Sequence, residues 1–168
     1  NVSWRSLKGC VYIHLYDEPS TKNLNLNSIK RYIEEKISWV NVDIRGDFIK
    51  YHLNADEIDV IAQKLAEIRV KNPFLQRLNT EPLYGEVAFE KRVIRGEAKC
   101  AGVLYDGFMM QTLFNELISE VEADLSNLHI IFTSRLFATW DDGDQRYHAR
   151  VIILGYPTII STSGVVEA

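Results

Sequence analysis

The segment from Leu128 to Leu154, LHIIFTSRLFATWDDGDQRYHARVIIL, carries the signals that decide the predicted fold. Asp142-Gly143 is typical of a two-residue turn between antiparallel strands, because both central residues of a type I′ turn need positive φ. Closing the strands at this turn places Arg135 directly opposite Arg150. The sequence therefore predicts a long hairpin with two arginines side by side.

The two faces of this predicted hairpin differ in chemistry, because side chains alternate along a strand. One face is nearly continuously apolar and is expected to pack on the core. The other face becomes cationic toward the turn. Its polar members are Thr133, Arg135, Thr139, Arg146, His148 and Arg150. Like charges that are directly opposed destabilise an antiparallel pair by a few tenths to about 1 kcal/mol, so negative charge is expected nearby.

This negative charge has two candidate sources. Carboxylates elsewhere in the fold, such as Glu86 and Glu90, would form a structural ion-pair network. A bound phosphate, nucleotide or substrate carboxylate would instead match the planar fork of arginine. In the second hypothesis Arg135, Arg146 and Arg150 supply charge, Thr133 and Thr139 orient the ligand, and His148 donates a hydrogen bond or acts as a catalytic acid or base.

Composition narrows the class of protein. The 168 residues, of which 46% are hydrophobic and 25% charged, predict a single globular domain over residues 1–168. A net charge of −4 argues against non-specific nucleic-acid binding. Two cysteines outside any CxxC pair indicate a reducing compartment, and no apolar run reaches the roughly 18 residues that span a bilayer. The sequence therefore predicts a cytoplasmic protein without membrane contact.

The remainder of the chain shows alternating strand and helix patterns. It predicts an α+β fold, with mixed α/β as the alternative, in which about three helices pack on a largely antiparallel sheet of hairpins. The predicted elements are a strand at 9–16, a helix from Asn25 or Asn27 to Ser38, a hairpin at 39–53 with a Gly46-Asp47 turn, a helix at 54–70, two strands within 83–105, and a helix at 108–125 capped by Asp106.

Motifs with a known mechanism are absent from the sequence. It contains no P-loop, no GxGxxG, no GxSxG and no HExxH. The four histidines are far apart along the chain. Asp141, Asp142 and Asp144 resemble half of an oxygen-ligand site but lack the spacing of a calcium loop. The sequence therefore predicts neither a metal nor a cofactor and leaves open whether the protein is an enzyme.

The stretch RLFATWDDGDQRYHARVIILGYPTIISTSGVVEA resembles the C-terminal part of an uncharacterised archaeal protein family. Its members are sometimes labelled metallopeptidases. The resemblance covers mainly residues 128–168. It implies an archaeal, cytosolic origin and a peptidase-like activity, but it assigns no catalytic motif to any residue.

Three functions follow from these patterns. The leading one is binding of a small anionic or phosphorylated ligand at the cationic hairpin face. The first alternative is a non-catalytic interaction module that uses the uncharged start of the third helix, GFMMQTLFN. The second is a metal-dependent hydrolase with His129, His148 and acidic residues as ligands. A homo-oligomer is compatible with each of them.

Overall fold

The computed structural model describes residues 11–21, 24–76 and 81–163. Within these ranges the chain forms eight strands and five α-helices. The strands are β1 (Val11–Asp17), β2 (Val40–Arg45), β3 (Leu104–Asp106), β4 (Asn127–Thr133), β5 (Leu136–Asp141), β6 (Arg146–Arg150), β7 (Ile152–Ile153) and β8 (Thr158–Ser161). The helices are α1 (Leu26–Lys36), α2 (Phe48–His52), α3 (Ile58–Glu67), α4 (Tyr84–Arg95) and α5 (Gly107–Leu117), with a 3₁₀ turn at Ala55–Glu57.

The main sheet has the strand order β2-β1-β4-β8-β7. Its first four strands are parallel, and only β7 pairs antiparallel, at one edge. The prediction of a largely antiparallel sheet is therefore wrong, although the mixture of helices and strands is as predicted. From β1 the chain passes through α1 to β2 on one side, and it later returns to β4 on the other side. The connections thus diverge between β1 and β4.

The segment that was predicted as one long hairpin contributes to two sheets. Strand β4 belongs to the main sheet, whereas β5 lies between β3 and β6 in a separate three-stranded sheet. Four residues, from Asp142 to Gln145, join β5 to β6, and Gln145 adopts a left-handed conformation with φ of 56°. This longer connection shifts the register by two residues, so Arg150 lies opposite Phe137. The predicted pairing of Arg135 with Arg150 is wrong.

The hairpin predicted at 39–53 is also wrong. After β2 the chain enters helix α2, because the Asp47 carboxylate accepts a hydrogen bond from the Lys50 backbone N–H at 3.0 Å and so caps the helix. Phe48 and Ile49, at the start of this helix, are both 3% exposed. Aspartate favours turns and helix N-termini alike, which is why the Gly46-Asp47 signal was ambiguous.

Helix α4 replaces the two strands predicted within 83–105. The Glu86 carboxylate accepts a hydrogen bond from the Leu83 backbone N–H at 2.8 Å and closes the first turn. Gly96 ends the helix in the left-handed conformation with φ of 81°. Glu90 and Ile94 lie one turn apart and are both buried. Strand β3 is the only part of the predicted strand pair that forms within the described residues.

Helix α5 begins as predicted and ends early. The Asp106 carboxylate accepts a hydrogen bond from the Met109 backbone N–H at 3.0 Å, which confirms the predicted cap. The helix ends at Leu117 rather than Leu125, and Leu125 is 85% exposed. The acidic residues that follow therefore lie in turns and are free to reach the sheet.

Two hydrophobic clusters lie on the two faces of the main sheet. The smaller one joins β1, β2 and β4 to α1 and contains Ile13, Leu15, Leu26, Val40, Val42 and Phe132. The larger one lies on the opposite face, against α2 to α5. None of the helices among the described residues is both long and apolar enough to cross a membrane. The single domain and the cytoplasmic location stay predictions.

Candidate metal centre

A polar patch lies on the sheet face opposite α1. Parallel register places His14 beside Asp43 of β2 and beside His129 of β4, and it places Tyr16 beside Arg45. Because residues two apart in a strand share a face, all five side chains project to the same side. His14, Tyr16 and His129 are at most 3% exposed. Buried polar side chains of this kind need hydrogen-bond partners.

Two further side chains reach this patch from outside the sheet. His52 ends helix α2, and Glu122 lies in the turn that follows α5. Ring nitrogens of His52 and His129 and a carboxylate oxygen of Glu122 all lie within 4.8 Å of one another. Three groups that can ligate a metal ion therefore converge from three separate parts of the chain.

The hydroxyl of Tyr16 lies at the centre of the hydrogen-bond network. It is 3.0 Å from His52 Nε2, 3.0 Å from His129 Nδ1 and 2.9 Å from Arg45 Nη1. His129 Nε2 lies 3.2 Å from the Glu122 backbone carbonyl, which can only accept, so this nitrogen carries the hydrogen. Tyr16 then donates its single hydrogen to His129 Nδ1 and accepts from His52 and Arg45. This assignment satisfies every contact of the hydroxyl.

The electrostatics of the cluster favour neutral imidazoles beside an ionised carboxylate. Burial lowers the pKa of His52 to about 4, and it also lowers the pKa of His129. Arg45 donates two hydrogen bonds to the Glu122 carboxylate, at 2.8 and 2.7 Å, and holds its pKa at about 2. At neutral pH the cluster therefore offers two uncharged ring nitrogens and one carboxylate.

This donor set fits a divalent transition-metal ion. Metal ligation requires neutral histidine and ionised carboxylate, and two histidines with one glutamate is a known zinc ligand set. Each Glu122 oxygen accepts one hydrogen bond from Arg45 and retains a further lone pair. The carbonyl that holds His129 Nε2 fixes the ring so that Nδ1 is the ligating atom. Coordination would replace the hydrogen bonds of Tyr16 to the two rings, and His52 would carry its hydrogen on Nδ1 instead of Nε2.

Arg135, a predicted ligand-binding residue, is buried in an ion-pair network. It is 2% exposed, and its Nη1 donates to Glu18 Oε1 at 2.8 Å. Thr133, also predicted to hold the ligand, donates its hydroxyl to Glu18 as well. Glu90, one of the two carboxylates predicted to neutralise this face, lies 4.0 Å from Arg135, whereas Glu86 pairs with Lys71. Protein carboxylates thus surround this guanidinium.

The other predicted site residues lie apart from Arg135. Arg146 and His148 both contact the Asp144 carboxylate, at 2.7 and 2.8 Å, near the exposed turn. Arg150 Nε donates to the Thr139 hydroxyl at 2.9 Å. The structure therefore does not gather the three arginines into one anion site.

The predicted pairing of His129 with His148 as metal ligands is also wrong. His148 belongs to a second, more exposed group with Asp141 and Asp144. Asp141 and Asp144 are exposed in this group, whereas no member of the group on the sheet face is exposed and His129 is buried. The group on the sheet face is therefore the better candidate.

Comparison with protein families gives a match over residues 10–168, which is nearly the whole chain. The chain belongs to the Probable metallopeptidase family (DUF6775). The match extends well beyond residues 128–168, the segment that carries the resemblance in the sequence. An archaeal origin stays a prediction. No curated protein and no solved structure matches the chain.

Sequence reasoning missed four residues of this cluster: Tyr16, Arg45, His52 and Glu122. The alternation of His14 and Tyr16 in the first strand was a usable signal. This signal becomes informative only once β1 pairs in parallel with β4, which brings His129 alongside His14. That register depends on contacts between segments that are far apart in the sequence. Glu122 was assigned to the helix at 108–125, whereas the structure places it in a turn after α5.

Proposed function

We propose that the chain binds a divalent transition-metal ion through His52, His129 and Glu122 and acts in metal-dependent peptide hydrolysis. The observation that carries this proposal is the convergence of their ligating atoms within 4.8 Å. Membership of the Probable metallopeptidase family supports the reaction class. When bound, such an ion supplies Lewis-acid catalysis for amide hydrolysis.

The residues around the ligands have positioning roles in this proposal. Arg45 holds the Glu122 carboxylate through two hydrogen bonds and also donates to Tyr16, so it fixes both groups relative to the sheet. His14 is held between Asp43 Oδ2 at 3.3 Å and Asn127 Oδ1 at 2.9 Å. These contacts keep the polar patch ordered before any ligand arrives, which lowers the cost of binding.

An open groove of about 620 Å³ runs beside the cluster and would admit the substrate. Its walls include Tyr12, His14, Asp43, Arg45, Glu122 and Asn127. Its size lies within the ordinary range for ligand sites. Amide and carboxylate groups along the walls suit the N–H and C=O groups of an extended peptide. Glu122 belongs both to the groove and to the ligand set, so a bound peptide would lie next to the ion.

Metal binding is the direct test. Protein stripped with a chelator and then dialysed is titrated with Zn²⁺, Mn²⁺ and Co²⁺ against a chromogenic competitor. We expect one ion per chain, with affinity reduced by about 100-fold or more in His52→Ala and in His129→Ala. The matched control is His148→Ala, which removes a histidine from the exposed group and should leave the affinity unchanged.

Peptide hydrolysis is measured on the same proteins with an unstructured peptide library. Cleavage that a chelator abolishes and the metal restores is expected for the wild type and for His148→Ala only. The proposal fails if none of the three ions binds, or if His148→Ala loses the ion while the His52 and His129 variants retain it.

A further inference from the structure

A second cavity, of about 160 Å³, lies at the carboxyl ends of β1 and β4. Its walls include Glu18, just after β1, together with Ser134 and Arg135, just after β4. The chain connections diverge between these two strands, and ligands of open α/β sheets characteristically bind at such a place. The cavity is separate from the polar patch that contains His52 and His129.

Arg135 contributes a positive charge to the cavity wall. The residue is 2% exposed, and its Nε has no partner among the described residues. Glu18 cannot provide one, because its two oxygens already accept from the hydroxyls of Ser20, Thr133 and Ser134, the Ser134 backbone N–H and Arg135 Nη1. Glu90 Oε2, 4.0 Å from Arg135 Nη2, is likewise unpartnered among the described residues, so the positive charge of Arg135 is not fully matched by direct hydrogen bonds.

Asp47 supplies an acceptor in the same wall. One carboxylate oxygen accepts from the Lys50 backbone N–H, and the other has no partner among the described residues. Burial raises the pKa of the Asp47 carboxyl above its ordinary value, although the charges of Arg135 and Lys50 act in the opposite direction. A cationic group of a ligand would supply that partner.

Two exposed lysines, Lys50 and Lys99, line the mouth of the cavity. In the described part of the chain, neither ammonium lies within 4.0 Å of a carboxylate. Lys50 Nζ lies beside Gly96, only 3.1 Å from where a Cβ would be, at the end of α4. Cationic and anionic groups thus share one rim, and Ile49, Val93 and Ile94 form an apolar wall behind them.

We propose that this cavity binds a free α-amino acid with an apolar side chain. Its ammonium group pairs with Asp47, and its carboxylate pairs with Lys50 and Lys99. Its side chain packs on Ile49, Val93 and Ile94. A simple anion would face the carboxylates of Glu18 and Asp47. A simple cation would face the basic side chains of Lys50, Lys99 and Arg135. Only a ligand with both charges matches the wall. A volume of about 160 Å³ equals roughly five waters at about 30 Å³ each, which suits an amino acid of small to medium size.

The test uses the full chain and measures its Tm with each of the twenty free amino acids at a concentration of about 10 mM, followed by calorimetric titration. We expect one or more of the apolar amino acids to raise Tm. The N-acetyl derivative lacks the ammonium, the amide lacks the carboxylate, and each should bind at least 10-fold more weakly. A dipeptide whose first or last residue is the amino acid that binds shows whether the cavity takes a free amino acid or the terminus of a peptide chain.

Asp47→Asn keeps the hydrogen-bond acceptor that caps α2 and removes only the charge, so it should fold and bind at least 10-fold more weakly. Lys99→Met changes an exposed residue and should also weaken binding. Asp56→Asn and Lys64→Met are matched controls away from the cavity and should bind normally. The inference is overturned if no amino acid binds, if acetate binds as well as the amino acid, or if Asp47→Asn binds unchanged.

Discussion

The buried pair of Glu18 and Arg135 gives the sharpest prediction about stability. The change Glu18→Gln keeps the shape of the side chain and removes its charge. Arg135 is 2% exposed, and its nearest remaining carboxylate, Glu90, lies 4.0 Å away. The guanidinium would therefore stay buried with only this longer contact, to a carboxylate that already pairs with Arg69. The new amide group would also face hydrogen-bond donors from Thr133 and Ser134.

The expected loss in the free energy of unfolding is about 3–5 kcal/mol, the usual effect of removing one member of a buried ion pair. This is a large share of the roughly 5–15 kcal/mol that stabilises an ordinary domain. The assay is equilibrium urea unfolding followed by circular dichroism. Glu116→Gln is the matched control, because it removes an exposed partner of Lys64 and should cost at most about 1 kcal/mol.

The double variant Glu18→Gln/Arg135→Met separates the loss of the ion pair from the free-energy cost of leaving the Arg135 guanidinium buried without Glu18. Replacing both partners removes the unpaired guanidinium, so the double variant should be more stable than Glu18→Gln alone. A loss below about 1 kcal/mol in Glu18→Gln would refute the reasoning, as would a double variant that is less stable than the single one.

Four further predictions follow. Burial alone would raise the pKa of Glu18, but Arg135 and the hydroxyl and backbone hydrogen bonds lower this pKa overall. The ionised carboxylate therefore contributes its full stabilisation above about pH 4.5, and this contribution is lost as pH falls through the lowered pKa. Acid titrations should show this loss in the wild type and not in Glu18→Gln. Gly107→Ala should cost about 1–3 kcal/mol in urea unfolding, because the added Cβ would overlap Cδ1 of Ile153, a buried side chain that would have to repack. Tyr16→Phe should bind Zn²⁺ at least as tightly as the wild type in the chelator competition, since the hydroxyl that occupies both ring nitrogens is removed. Phe108, at the start of α5, is 57% exposed, so if that surface mediates self-association, Phe108→Asp should abolish any concentration-dependent rise in light scattering.

Local signals in the sequence were sufficient for several elements. The first strand and the Asn25 and Asp106 caps were predicted and form as expected, because each depends on neighbouring residues only. The Gly46-Asp47 and Asp142-Gly143 signals were misinterpreted. In the first, Asp47 caps a helix; in the second, Gln145 extends the connection to four residues. Both misinterpretations predicted that neighbouring strands pair antiparallel, so the parallel pairing in the main sheet was not predicted.

The candidate site could not be predicted from spacing along the chain. His52 and His129 lie on elements that meet only once β4 pairs with β1 and α2 packs over that face. Arg135 was singled out for its charge, yet the carboxylate that neutralises it, Glu18, stands more than a hundred positions earlier. Charge pattern alone does not reveal whether a cation is already paired within the protein.

The hydroxyl of Tyr16 joins two imidazoles and a guanidinium at the centre of the polar patch. Hydrocarbon side chains tolerate exchange because neighbours can shift to refill the space, whereas this centre depends on matching each hydrogen with a lone pair. Changing Tyr16, His52 or His129 alone removes one partner from this network, so the remaining polar groups need water or a metal ion as a substitute. Double substitutions among the three positions are therefore expected to be non-additive in the free energy of unfolding.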